Sequence, residues 1–503
     1  MKKIIILLLF IILKFVIQYV IIGPDYDLHR DEFLHLDQGK HLAWGYLSVP
    51  PFSSWTSWLI LSFGNSEFWV RFFPALYGAL TLVVVWKAIE ALHGEMFALV
   101  LGACAVTFSV LLRINMLYQP NSFDILCWTL LYYAVLRYMQ TGKKQWLYTL
   151  ALVLAIGFLN KYNIIFQLAG LIPALIITNR RIFADKHLYF AGMLAFFIVL
   201  PNLIWQYQNE FPVIHHMKLL SETQLVNVST GDFLKEQFLF FMGSIFVLIA
   251  ALVSFFRYPP HKKFQVFFWA FAFTLFLFIY LKAKGYYAIG LYPFLLSFGS
   301  VYLEKLLTNK IKWLRPVAFA AILLCSILLF RVGFPMQSPE VIAGNAERYK
   351  NLGLLRWEDG KDHTLPQDFA DMLGWKELAA KVDSTYANLE DKANTIVLCD
   401  NYGQAGAINY YSRSSLQAVT MNADYINWIP LEQEIQNVIL VQDADDDDKD
   451  RKKEQLLFRK IELTGKVENH YAREYGTRVY ALTGAKVSIN KILKSDIEEN
   501  RWH

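Results

Sequence analysis

Long apolar segments, separated by short polar stretches, fill the first two thirds of the chain. A membrane-spanning helix needs roughly 20 mostly apolar residues, and most of these segments approach that length. The pattern therefore predicts an α-helical polytopic membrane protein with about eleven transmembrane helices. The segments lie at residues 4–22, 70–90, 96–113, 123–139, 147–160, 162–178, 188–207, 236–256, 264–281, 286–303 and 316–332.

The first apolar segment contains Lys14 and Gln18 and has no small-residue cleavage site after it. These features favour a transmembrane helix over a cleaved signal peptide.

Basic residues are concentrated in alternate connections between the apolar segments. With eleven spans these groups all fall on one side, and the positive-inside rule makes that side cytoplasmic. We therefore expect a cytoplasmic N-terminus and place the residues after 332 on the outer side of the cytoplasmic membrane. The groups are Lys2 and Lys3; Arg137, Lys143 and Lys144; Arg180, Arg181 and Lys186; Arg257, Lys262 and Lys263; and Lys305, Lys310, Lys312 and Arg315.

The pattern changes after residue 332. TIVLCD (395–400) and NVILVQD (437–443) read as buried strands, and residues 371–389 have helical spacing of apolar positions. The alternation predicts a soluble outer-face α/β domain over residues 333–503. Residues 1–332 then form the membrane domain, with outer loops at 23–69 and 208–235.

Composition and charge agree with this division. The chain is 55% hydrophobic and 18% charged, whereas soluble domains contain about 25% charged residues. Residues 1–332 carry 27 Lys and Arg against 15 Asp and Glu, and the remaining residues carry 21 against 28. This asymmetry excludes a uniform globular body and a nucleic-acid-binding protein with a basic soluble face. The basic excess instead lies between apolar segments.

Two adjacent carboxylates, Asp31 and Glu32, lie in the first outer loop, a few residues after the first predicted helix. A general base must reach the proton of an acceptor hydroxyl and stay ionised near neutral pH, and either residue could do so. The alternative is an ordinary acidic exterior loop, and composition alone leaves both interpretations open.

Two further charges interrupt apolar surroundings. Asp124 lies just inside a predicted span, where ionisable residues concentrate at functional sites. It could equally be a carboxylate favoured by a helix N-terminus. Lys161 lies between two predicted helices and requires a phosphate or carboxylate partner, unless it extends to the membrane interface.

Lys284, Tyr286 and Tyr287 lie at the outer end of another predicted helix, and Arg71 is a further cation on that side. Cations beside phenols suit a phosphate head group, although basic flanks and an aromatic belt give the same pattern. The four histidines of the outer loops and the four cysteines show no metal-ligand spacing. We expect no cofactor, with a divalent metal as the remaining alternative.

An ordered set of motifs resembles the polyprenyl-phosphate-sugar-dependent glycosyltransferases of GT-C type. This superfamily includes protein O-mannosyltransferases and bacterial lipid A aminoarabinose transferases. The resemblance is strongest over residues 25–165, and the tail motifs DMLGWKEL and NYGQAGAINYYS resemble bacterial members. The motifs of the membrane part are RDEFLHLDQGKHLAWGYLSVPP (30–51), RFFPALYGAL (71–80), YQPNSFDILCWTLLYYAVLRY (118–138), GFLNKYN (157–163) and KGYYAIGLYPFL (284–295).

The resemblance implies that a sugar passes from a polyprenyl-phosphate donor to a lipid, glycan or protein acceptor on the outer face. It assigns the family's acidic pair to Asp31 and Glu32 and its second acidic position to Asp124. The family lysine corresponds to Lys161, and the late basic and aromatic segment to Lys284, Tyr286 and Tyr287. Val49 replaces the lysine of a Lys-Pro-Pro motif found in aminoarabinose transferases, so the sugar is not assigned.

Two other classes of protein compete with this interpretation. A transporter or flippase of lipid-linked sugars would use the same buried charges without chemistry, but no inverted repeat is present in the sequence. A structural membrane scaffold would leave Asp124 and Lys161 unexplained.

Overall fold

The computed structural model describes residues 1–223, 226, 228–392, 394–414, 416–446, 448 and 450–500. Helices dominate the first two thirds of these residues, and a five-stranded sheet with flanking helices forms the rest. The predicted fold class is confirmed, while the exact domain boundary at residue 332 stays a prediction. Residues 224, 225 and 227 of the second predicted outer loop, and 393, 415, 447, 449 and 501–503 of the predicted outer domain, lie outside the described residues.

Seventeen α-helices, several of them short, are described in the membrane part, together with short 3₁₀ helices. They are α1 (Lys2–Val20), α2 (Arg30–Gln38), α3 (Phe52–Ser62), α4 (Glu67–Ala91), α5 (Met96–Thr107), α6 (Leu111–Ile114), α7 (Pro120–Thr141), α8 (Gln145–Asn160), α9 (Ile164–Asn179), α10 (Lys186–Gln208), α11 (Pro212–Thr223), α12 (Thr230–Phe240), α13 (Ile245–Arg257), α14 (Pro259–Lys262), α15 (Gln265–Tyr280), α16 (Tyr292–Leu306) and α17 (Leu314–Phe330).

Among the described residues, six helical stretches are long and apolar enough to cross a membrane: Lys2–Val20, Glu67–Ala91, Ile164–Ala184, Lys186–Gln208, Gly285–Leu306 and Asn309–Phe330. The third, fifth and sixth of these each join an α-helix to a neighbouring 3₁₀ helix. A seventh crossing is counted if α12 and α13, which bend by 64° at their junction, form one span. The apolar helices α5, α8 and α15 are shorter, at 12, 16 and 16 residues. Each predicted apolar segment contains a helix, but the count of eleven crossings is not confirmed. The chain is an integral membrane protein.

The first predicted outer loop contains two helices, α2 and α3, that pack against each other. A Cβ atom on Gly39, at the end of α2, would lie 2.5 Å from Ser57 Cβ in α3. The Ser57 hydroxyl also donates to the His35 carbonyl of α2 at 2.6 Å. Because the glycine permits this close approach, the loop is a compact helical pair and not an irregular connection.

The described part of residues 333–503, which we call the outer domain after the predicted topology, is built on a mixed sheet in the order β2-β1-β3-β5-β4. The first three of these strands are parallel, and β5 and β4 are antiparallel additions. Its elements are α18 (Pro339–Gly344), α19 (Ala346–Asn351), α20 (Gln367–Ala370), α21 (Trp375–Ala387), β1 (Thr395–Cys399), α22 (Tyr402–Tyr411), β2 (Ala418–Thr420), β3 (Asn437–Gln442), α23 (Lys452–Leu457), β4 (Phe458–Lys466), β5 (Arg478–Ala485) and α24 (Ile489–Asn500).

Helix α22 of the outer domain lies directly on α2 of the first outer loop. The Phe33 ring of α2 packs against Trp375 at 5.8 Å and Tyr411 at 5.7 Å between ring centroids. A Cβ atom on Gly406 would lie 2.5 Å from Phe33 Cβ, so glycine allows the two helices to approach. One buried apolar cluster therefore joins the two parts of the protein and fixes α22 along α2.

Candidate active site

The two adjacent carboxylates at the start of α2 have different environments. Glu32 is 1% exposed, and both of its oxygens accept backbone hydrogen bonds. Oε2 accepts from the N–H of His29 at 2.7 Å, which completes a capping box, and Oε1 accepts from the N–H of Tyr118 at 2.6 Å. Burial raises the pKa of Glu32, and these two backbone bonds oppose the rise. Glu32 therefore holds the start of α2 to the chain before α7.

Asp31 is only partly buried, and two side chains donate hydrogen bonds to its carboxylate. Oδ1 accepts from the Tyr402 hydroxyl at 2.7 Å, and Oδ2 accepts from Gln119 Nε2 at 3.0 Å. Burial acts to raise the pKa of Asp31, but the nearby His29 and Arg30 and the Tyr402 hydrogen bond outweigh it, so the pKa lies below its ordinary value. Asp31 is consequently ionised at neutral pH.

A line of hydrogen bonds connects Asp31 to Lys161. Gln119, which donates to Asp31, accepts from Asn121 Nδ2 at 2.9 Å. Asn121 in turn accepts from Lys161 Nζ at 2.7 Å. Every donor in this line points towards Asp31. The arrangement depends on α7 starting at Pro120, a proline suited to the first helical position, which presents Gln119 and Asn121 on either side of it.

Lys161 lies at the end of α8 between two aromatic rings. Its Nζ is 4.6 Å from the ring centroid of Tyr287 and 5.2 Å from that of Tyr286. The two rings are perpendicular neighbours, with centroids 4.7 Å apart. Asn121 occupies one of the three ammonium donors, so this cation can still donate to an anionic ligand.

Asp124 supports this region from within α7. Its carboxylate is 4% exposed and accepts from Trp128 Nε1 and Asn163 Nδ2, each at 3.0 Å. Asn163 also donates to the Tyr287 carbonyl at 3.1 Å. Asp124 thus links α7 to the segments that carry Lys161 and Tyr287.

The structure places the two other predicted cations differently. Lys284 Nζ forms an ion pair with Glu358 of the outer domain at 2.9 Å. Arg71 forms an ion pair with Glu67, one turn earlier in α4, at 3.8 Å. The structure therefore brings together Asp31, Asp124, Lys161, Tyr286 and Tyr287, while Lys284 and Arg71 pair outside this group.

Four residues of the site were not singled out from the sequence: Gln119, Asn121, Asn163 and Tyr402. All four lie inside the quoted motifs, but they are uncharged, so nothing in the sequence distinguished them from their neighbours. Only the fold shows that they contact Asp31, Asp124 and Lys161. Within the described parts of the chain, no group of three or more His, Cys, Asp or Glu side chains is arranged to hold a metal ion.

Residues 48–205 match the family model described as dolichyl-phosphate-mannose-protein mannosyltransferase. This range includes Asp124 and Lys161 but not Asp31. The chain is also similar to the lipid A galacturonosyltransferase RgtD of Rhizobium johnstonii, with 25% identity over 221 residues. That match covers 42% of this chain and 46% of the relative, so it spans a little under half of the relative's length.

The fold is similar to that of ArnT from Cupriavidus metallidurans. The superposition on ArnT bound to undecaprenyl phosphate has a TM-score of 0.64 at 15% identity and covers 94% of this chain and 97% of ArnT. With the apo form the TM-score is 0.63 at 17% identity, with the same coverage. Together with the family-model match, this similarity confirms the predicted resemblance to the GT-C glycosyltransferases.

Proposed function

We propose that this chain is a GT-C-type glycosyltransferase of the bacterial cytoplasmic membrane, moving a sugar from a polyprenyl-phosphate carrier to an acceptor on the outer face. The N-terminus would then lie in the cytoplasm and the outer domain in the periplasm. The observation that carries the proposal is the line from an ionised Asp31 to Lys161. This line supports the proposal, because a base at Asp31 and a phosphate-binding cation at Lys161 would then belong to one continuous site.

The reaction is a single inverting displacement. Asp31 removes the proton of an acceptor hydroxyl, whose oxygen attacks the anomeric carbon of the donor sugar. The bond between that carbon and the phosphate oxygen breaks, and the electron pair leaves with the lipid monophosphate. Preorganised donors aimed at such a developing charge lower the barrier, and Lys161 between its tyrosine rings is suited to that role.

Glu32 is the weaker candidate for the base. Both of its oxygens are occupied by backbone N–H groups, so proton abstraction would break the cap of α2. Asp124 acts indirectly, by holding Asn163 and hence the wall beside Lys161. If the acceptor is itself a phosphate, no base is needed, and Asp31 orients the acceptor instead.

In this proposal the outer domain contacts the acceptor. Together with the end of α2 it borders a cavity of about 300 Å³, which includes Asp37, Asn409 and Trp428. The His41 and Trp428 rings stack there at 4.3 Å. Aromatic faces and polar groups suit a sugar-containing acceptor, whether lipid, glycan or protein, and the donor's polyprenyl chain would lie in the surrounding membrane lipid.

Nothing in the fold or in the comparisons favours the alternative of a flippase. The two activities are separable by experiment, because a transferase consumes the donor and a flippase only moves it between leaflets. The test uses purified protein in liposomes with a radiolabelled polyprenyl-phosphate sugar extract and a membrane extract as acceptor source.

Three proteins are compared: wild type, Asp31→Asn and the control Asp25→Asn. Asp25 is an exposed carboxylate of the same outer loop. We expect the wild type and Asp25→Asn to consume the donor and Asp31→Asn to lose this activity with its melting temperature unchanged. If none of the three proteins consumes the donor and all of them move it between leaflets, the protein is a flippase and the proposed enzyme function is wrong.

A further inference from the structure

We propose that the outer domain takes part in the transfer reaction through Tyr402, which acts as a positioning residue for the carboxylate of Asp31. This inference rests on the proposed function and adds a part of the site that lies 371 residues from Asp31 in sequence. The outer domain would then complete the membrane-surface site and not merely cover it.

The contact between Tyr402 and Asp31 is direct and well oriented. The Tyr402 hydroxyl donates to Asp31 Oδ1 at 2.7 Å. The guanidinium carbon of Arg30, the residue before Asp31, lies 4.4 Å from the Tyr402 ring centroid. One tyrosine therefore holds the start of α2 twice, through its hydroxyl at Asp31 and through its ring at Arg30.

Tyr402 remains a donor at every pH relevant to catalysis. Burial and the negative charge of Asp31 hold the pKa of its phenol well above the ordinary value. It therefore keeps its proton, and an O–H group beside a carboxylate stabilises the ionised form. Tyr402 fixes Oδ1 while Gln119 fixes Oδ2, so the carboxylate cannot rotate freely about its side-chain bonds.

The sheet of the outer domain anchors the turn that carries Tyr402. The Asn401 side chain caps α22 by accepting from the N–H groups of Gly403 at 3.0 Å and Gln404 at 3.1 Å. Gln404 donates to Asp443, at the end of β3, and to Glu474 at 2.6 Å.

Asn401 donates to the same two carboxylates at 3.4 Å each. These bonds tie the start of α22 to the carboxyl edge of the sheet. Tyr402 is consequently held from both sides, by the sheet behind it and by α2 in front.

Several titratable or charged groups other than Tyr402 interact electrostatically with the Asp31 carboxylate. A variant that loses only the Tyr402 hydroxyl retains all of these groups. They are His29, Arg30 and His35 at or within α2, Tyr286 from the segment before α16, and Asp371 after α20.

The test compares wild type with Tyr402→Phe, which removes the hydroxyl and keeps the ring beneath Arg30. We expect kcat to fall about 10- to 100-fold, the range for losing a hydrogen bond to a charged group. KM for the polyprenyl-phosphate sugar should stay unchanged, because the donor phosphate is assigned to Lys161. The acidic limb of the kcat–pH profile should move to higher pH, because Asp31 loses a donor that stabilises its anion.

Tyr410→Phe is the matched control. Tyr410 lies on the same helix and donates to the Asn65 carbonyl of the first outer loop at 2.8 Å, so its loss removes a domain contact but not a contact to Asp31. We expect its kcat and pH profile to match the wild type, with the melting temperatures of all variants compared in parallel.

Two results would overturn the inference while leaving the transferase intact. One is wild-type kcat and pH profile in Tyr402→Phe while Asp31→Asn is inactive. The other is an equal loss of kcat in Tyr402→Phe and Tyr410→Phe with unchanged pH profiles. That result would mean that both tyrosines only hold the outer domain in place. A wild-type protein that never consumes donor would defeat the proposed function and this inference together.

Discussion

Asp31 and Glu32 are adjacent in α2 but have different hydrogen-bond partners. Glu32 accepts from two backbone N–H groups, and a glutamine there has only one acceptor oxygen and brings two donors. We expect Glu32→Gln to destabilise the protein by about 1–3 kcal/mol, the cost of leaving a buried polar group unpaired. Thermal melting in detergent measures this, with Asp31→Asn as the comparison that should melt like the wild type. Equal melting of Glu32→Gln and wild type would contradict the capping role.

Lys161 is the residue on which donor binding should depend most. Replacing it with glutamine removes the charge but keeps a donor beside Asn121. We expect the Kd for a polyprenyl monophosphate to rise about 10- to 100-fold, as for loss of a charge-assisted hydrogen bond. The control is Lys282→Gln, an exposed lysine near the same tyrosines in sequence. Binding measured by displacement of a fluorescent lipid phosphate should be unaffected by that control, and equal losses would indicate a general charge effect.

The charged residues of the candidate site could be identified from the sequence. Asp31, Asp124 and Lys161 interrupt apolar or loop surroundings, and an isolated charge near a membrane is conspicuous in a sequence. Gln119 and Tyr402 carry no charge, and each acquires its role only when distant segments meet at Asp31. Local sequence contains no trace of such a meeting, so these residues could not be assigned without the fold.

Helix contacts in the membrane part depend on glycine at close crossings. A Cβ atom on Gly299 of α16 would lie 1.9 Å from the Val247 carbonyl oxygen of α13, which cannot move without shifting the helix. We expect Gly299→Ala to destabilise the protein by about 1–3 kcal/mol through overpacking. Gly192→Ala in α10 is the control, because none of the described atoms lies within 4 Å of its added Cβ. Melting of the two variants in one detergent checks this, and a stable Gly299→Ala would refute the close crossing.

The pattern of apolar residues predicted where the helices lie more accurately than where each helix begins and ends. The predicted segment 236–256 is a bent pair, because the chain turns by 64° between α12 and α13. The helix predicted over 371–389 begins only at Trp375, since Gly374 has a left-handed φ of 83° that interrupts the preceding turn. Hydrophobic periodicity reports which face is buried, whereas breaks of this kind depend on backbone geometry, which periodicity does not encode.

At the scale of the whole molecule, the stability of the outer domain should depend on pH through the half-buried Asp443 and the neighbouring buried Glu474. Burial and the neighbouring Glu474 raise the pKa of Asp443 to about 7, against an ordinary value of 3.8. Between these pH values the folded protein holds a proton that the unfolded chain has lost, so the free energy of unfolding falls as pH rises. We expect the melting temperature of the outer domain to decrease from pH 5 to pH 8.

Asp443→Asn tests this assignment. The variant should be more stable than wild type at pH 8, should differ little from it at pH 5, and should flatten the pH dependence between them. Asp445→Asn, an exposed neighbour, is the matched control and should keep the wild-type slope. If the melting temperature of Asp443→Asn depends on pH as steeply as that of the wild type, groups other than Asp443 cause the pH response.

The hydrogen bond between Tyr402 and Asp31 also has a consequence for biogenesis. A ribosome makes α2 early and α22 late, after every apolar segment has been synthesised. Asp31 therefore lacks its tyrosine partner until the last third of the chain has been synthesised and has docked on α2. A chain that ends before α22 would lack this contact, so under the proposed function we expect its turnover to fall at least as far as that of Tyr402→Phe.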